Sequence, residues 1–134
     1  VPGIDECLQE AMSLPGARGA WLVDWTSGLA LGSAGESPVG DHETTAAESA
    51  ELARAAAEFE SPAGTDADSL PPEAGAPPVE DLIVSTRVGY HVIRFVETDF
   101  DSSVFLHLWL DRSTGNLALA RIKLGDLAER LVLG

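Results

Sequence analysis

The chain has 134 residues, room for one domain that buries roughly two-thirds of the surface its unfolded form exposes. Eight basic residues against 22 acidic ones leave a formal net charge of −14, which repels phosphate backbones and anionic lipid surfaces and weighs against nucleic-acid partners. No apolar run reaches the ~20 residues that cross a bilayer, so stable membrane insertion is not expected.

The acids are spread along the chain, as on a solvated surface. Cys7 is the single cysteine, so no internal disulfide forms, which suits a reducing cytoplasm. No signal-peptide pattern is visible, and the numbering opens at Val1 without a methionine, as a fragment or trimmed chain would.

Ile4, Cys7, Leu8, Ala11 and Met12 share one helical stripe and predict a first helix over about Gly3 to Ser13, stopped by Pro15 and Gly16. Next comes GAWLVDWTSGLALGSAG, Gly19 to Gly35. Ala20, Leu22 and Asp24 alternate with Trp21, Val23 and Trp25, so both faces of this strand are bulky and it belongs inside a sheet. Thr26, Ser27 and Gly28 form a turn, and Leu29, Ala30 and Leu31 return as a hairpin.

Ser37, Pro38 and Gly40 mark a turn, and Thr44 and Thr45, with Glu48 three residues beyond the latter, predict the capping box of a second helix ending near Phe59 or Glu60. Its expected buried stripe is Ser49, Leu52, Ala53, Ala56 and Phe59. Small side chains bring a helix axis close to what it faces, and this flat surface suits a second copy of the same helix. Ser61 to Pro78 holds five of the eight prolines with almost nothing to bury, and reads as a mobile loop.

Leu82 to Thr86, Tyr90 to Val96 and Val104 to Leu110 are β-branched, apolar runs that predict three further strands, with turns at Val88–Gly89 and over Thr98 to Ser103. The last is apolar on both faces and belongs at the sheet centre. The first is short and weakly alternating, and is placed at an edge, where an unprotected strand invites pairing with another chain. Leu117, Ala120, Leu124, Leu127, Ala128 and Leu131 form the stripe of a third helix, which Gly125 weakens by roughly 1 kcal/mol. The order α-β-β-α-β-β-β-α, with hairpin links dominating, implies an α/β fold: a largely antiparallel sheet with helices on both faces.

The chemistry-bearing residues form no recognised set. His42, His91 and His107 lack metal-ligand spacing with one another or with Cys7, although His91 and His107 are candidate neighbours. No phosphate-binding glycine loop and no nucleophile elbow is present, and Gly28, Gly32 and Gly35 read as turn glycines. Asp24 and Asp111 both end apolar strands and would make an acid/base pair only if they met; capping is the expected role. No catalytic, cofactor-binding or metal-binding residue is therefore assigned.

The runs MSLPGARGAWLVDWTSGLALGSAG, TTAAESAELARAA and FLHLWLDRSTGNLALARIKL together resemble the bacterial Roadblock/LC7 family. The most specific segments are Pro15 to Ala20, Ser27 to Gly32 and Leu110 to Arg121. The likeness spans nearly all of residues 1–134, taken as a single domain with a Pro-rich loop at 61–78 that is longer than usual; Gly115, which is expected to loosen the start of the third helix, is a second departure.

The resemblance implies a profilin-like three-layer α/β/α sandwich around a central five-stranded antiparallel sheet. It also implies a homodimer in which third strands pair and second helices pack, here Leu82, Ile83, Val84, Ser85 and Thr86 with Ser49, Leu52, Ala53 and Ala56. A cytoplasmic, non-enzymatic regulator of a small Ras-like GTPase in bacterial signalling follows as the expected function, with no cofactor. Arg87, Arg94 and Arg112 are present, but none is singled out as a finger into the partner. The alternative is a profilin- or PAS-like ligand sensor, with a pocket between the sheet and helices one and three lined by Trp21, His91 and His107.

Overall fold

The computed structural model describes residues 3–58, 79–96 and 103–133. Within them run α1 (Ile4–Met12), β1 (Ala17–Asp24), β2 (Leu29–Gly35), α2 (His42–Ala57), β3 (Asp81–Ser85), β4 (Gly89–Val96), β5 (Val104–Asp111) and α3 (Leu117–Leu133). The Ser61–Pro78 loop, Phe59, the expected helix end at Glu60 and the Thr98–Ser102 part of the second turn lie outside the described residues.

Two-sided apolar alternation on β1 and β5 dictates the layers. The five strands form one antiparallel sheet in the order β2-β1-β5-β4-β3, so the most apolar strand is central, as its composition requires, and β3 is at an edge. Ala20, Leu22, Leu106, Leu108 and Leu110 turn to one side, where Cys7, Leu8 and Ala11 of α1 and Ala120, Leu124, Leu127 and Ala128 of α3 complete a buried core. Trp21, Val23, Phe105 and Trp109 turn to the other, against Ala46, Ala50 and Ala53 of α2. Burying both faces of the sheet is the main stabilising contribution, about 25 cal/mol for each Å² of apolar surface removed from water.

Three local expectations are corrected. The cap of α2 is Asp41, whose carboxylate accepts from Glu43 N at 3.1 Å, not Thr44 or Thr45. Thr44 donates its hydroxyl to the same carboxylate at 2.7 Å, and Thr45 is buried.

Gly32 is not a turn glycine. It sits in β2 under α1, where a Cβ would stand 2.8 Å from Ile4 Cγ2 and 3.0 Å from Leu8 Cδ1. Gly115 does not loosen α3. A Cβ on this glycine would stand 2.5 Å from Asp111 O and 3.0 Å from Leu110 Cβ, and α3 then starts on Asn116, whose side chain accepts from Leu119 N at 3.0 Å.

Candidate functional site

The bonding parity of β3 leaves half of its backbone unspent. Thr86 N donates to Gly89 O and Phe95 N donates to Glu80 O, in the same register that sets Val84 against His91 and Leu82 against Ile93. Bonded and non-bonded pairs alternate in an antiparallel ladder, so Leu82 and Val84 bond to β4 while Asp81, Ile83 and Ser85 aim their backbone groups at the open edge. Such a row is a template for another strand. Ile83, paired with Val92 on the α1/α3 side, is 37% exposed.

Beside that edge, on the opposite face, α2 lies over the β2–β1 half of the sheet and leaves a groove of about 440 Å³. Thr45, Ser49 and Leu52 line it from α2, and Val84, His91 and Ile93 line it from β3 and β4. The stripe that α2 buries differs from the expected one. Ala46, Ala50 and Ala53 are fully buried and Ser49 nearly so, whereas Leu52 is 40% exposed and turned to the groove. Alanine and serine differ little in hydropathy, so the lone leucine drew the expected stripe around itself by one helical step.

The nine residues expected at a self-association surface thus divide. Ser49, Leu52, Val84 and Thr86 line the groove, and Leu82, Ile83 and Ser85 lie along the edge strand. Ala53 and the half-buried Ala56 pack against the chain's own core.

His91 and His107 also line the groove, and their Nδ1 and Nε2 atoms are 2.8 Å apart. They are the neighbours that strand alternation allowed. His107 is 4% exposed and its Nδ1 has no hydrogen-bond partner among the described residues. Burial, with His91 beside it, pushes its pKa down to about 3, and burial also lowers that of His91. The His107 ring packs on Trp21 with centroids 4.7 Å apart, and the His91 ring lies parallel to Trp109 at 6.3 Å.

These rings face α2. The pocket expected between the sheet and helices one and three, lined by Trp21, His91 and His107, is therefore contradicted: that side is filled by the leucine core, and the three residues sit on the other side because their strand parity matches Val23 and Phe105.

Asp24 and Asp111 lie at opposite ends of β5's neighbourhood, Asp24 beside Val104. Each closes a local turn, Asp24 accepting from Thr26 and Asp111 from Ser113 and Thr114. Cys7 is buried in the α1-side core, which pushes its thiol pKa up. Among the described residues no three His, Cys, Asp or Glu side chains gather to hold a metal ion, and no helix is long and apolar enough to cross a membrane.

A five-stranded antiparallel sheet of order 2-1-5-4-3, with one helix on one face and two on the other, is the α/β fold of Roadblock/LC7 domains, and this chain has it. No protein-family profile and no curated protein sequence matches the chain, but solved structures do. MglB from Myxococcus xanthus overlays with a TM-score of 0.76 at 18% identity, covering 98% of this chain and 94% of MglB. The Roadblock/LC7 domain from Streptomyces avermitilis gives 0.68 at 17% identity over 96% and 93%, and MglC from Myxococcus xanthus gives 0.62 at 17% over 98% and 98%.

Proposed function

We propose that this chain is a cytoplasmic, non-enzymatic regulatory scaffold that works as a homodimer and binds a small Ras-like GTPase in bacterial signalling. The observation that carries the reading is the adjacency of an unpaired β3 edge and an unfilled groove beside α2. A second copy related by a two-fold axis answers both at once: its β3 continues the sheet and its α2 approaches the groove. With the axis at Ile83, each Ile83 meets the partner's Ile83 and each Asp81 meets Ser85, so no two carboxylates are opposed across the ladder.

The resemblance to Roadblock/LC7 sequences supports the GTPase as partner. Regulation is read as coming from shape, with none of Arg87, Arg94 and Arg112 singled out as a finger and Arg112 held within the chain. Arg112 donates to Thr86 O at 2.6 Å and lies over the Tyr90 ring, and Arg94 lies against Gly125. The scaffold would act by moving the GTPase's own water-positioning and charge-stabilising groups. Mixing the chain with candidate GTPases loaded with GDP or a GTP analogue, followed by sizing, should give a complex in at least one nucleotide state; none in either state contradicts the proposal.

A further inference from the structure

We infer that the His91–His107 pair makes self-association of this chain sensitive to pH, with acid driving the subunits apart. The inference rests on a second copy occupying the groove, as proposed above.

Two neutral imidazoles whose nitrogens are 2.8 Å apart share one hydrogen: one ring donates and the other accepts. One more proton makes a cation that needs solvent or a counter-charge. His107 offers neither, since it is sealed in the sheet face with its Nδ1 unpartnered. His91 is half-buried and reaches water through the groove. In the free subunit, added charge is therefore stabilised only along that route.

The surroundings supply little else. Facing the pair, β3 presents Val84 and Thr86, which carry no charge. From β1 comes Trp21, and from β5 Trp109, over whose ring the Arg18 guanidinium lies at 4.0 Å. From α2 come exposed Glu48 at the groove and His42, which is bonded to Trp21. A partner surface built from Leu52 and Ser49 would remove water from His91, whereas Glu48, the one carboxylate lining the groove, is exposed on each copy, so covering the groove expels the proton.

The test is sedimentation equilibrium of the full chain at pH 7.5 and pH 5.0, with far-UV circular dichroism confirming the fold at both, beside His91→Gln. A dimer holds two such pairs, so proton exclusion raises Kd by at most ~100-fold per pH unit, and the wild-type Kd should rise in acid relative to that of the variant. Acid also discharges carboxylates on a chain of net charge −14, which by itself favours association; His91→Gln should therefore show an unchanged or lower Kd in acid. A wild-type Kd that responds to acid no differently from that of His91→Gln overturns the inference and leaves the dimer standing. Absence of self-association at pH 7.5 overturns the dimer and this inference together.

Discussion

The Trp21 indole N–H donates to Nδ1 of His42 across 2.8 Å, joining the fully buried middle of β1 to the first residue of α2. Removing the acceptor leaves a buried donor without a partner, which costs about 1–3 kcal/mol. His42→Ala should therefore lower unfolding stability by that order in urea titrations. In a Trp21→Phe background, which has no N–H to satisfy, the same change should cost clearly less. Equal costs in both backgrounds would show that the bond contributes nothing.

Acid should weaken the fold in two windows. The unfolded chain protonates His107 near pH 6.5, but the folded chain does so only near 3 because of burial and the neighbouring His91. Between those values the unfolded state binds more protons, so this contribution is complete above about 6.5 and is lost as pH falls toward 3. Glu10 is held down to about 2, chiefly by the hydrogen bond from Arg130 and then by Lys123. Its contribution is complete above about 4.5 and is lost as pH falls through 2. Urea midpoints measured from pH 7.5 to 3.5 should hold to about 6.5 and then decline, first through the histidine and then through the carboxylate; a flat profile from 6.5 to 5 would contradict the buried neutral imidazole.

Gly125 in α3 and Gly32 in β2 should respond oppositely to a side chain. A Cβ at Gly125 would meet only the Arg94 guanidinium, at 3.6 Å, an ordinary contact, so Gly125→Ala should stabilise by about 0.5–1 kcal/mol through helix propensity. At Gly32 the added atom would press on Ile4 and Leu8 of α1, so Gly32→Val should destabilise by about 1–3 kcal/mol through overpacking. Thermal unfolding of the two variants reads both signs.

What was legible in the sequence follows from side-chain period. The opposed faces of β5, Leu106 and Leu108 against Phe105 and Trp109, announced its central place, and the stripe from Ala120 to Ala128 announced how α3 packs. The α2 stripe is not legible because its small alanine and serine side chains give little hydropathy contrast, and Leu52, the one large apolar residue, faces the groove rather than the core. The helix that covers each sheet face was also beyond the pattern: alternation sets Trp21 and His107 together, but only tertiary packing puts α2 over them. Gly32 looked like its turn neighbours because close approach of a distant helix leaves no local mark.

The bonding parity of β3 allows the most direct measurement. Proline at Ile83 removes an N–H aimed at the open edge and keeps the β3–β4 bonds, whereas proline at Val84 removes one that bonds to β4. Sedimentation at micromolar concentration should give the wild type at twice the 14.0 kDa of one chain, Ile83→Pro as a folded monomer, and Val84→Pro with a weakened fold. A wild type that sediments as a monomer, or an Ile83→Pro variant that stays as dimeric as the wild type, would contradict the edge-paired dimer.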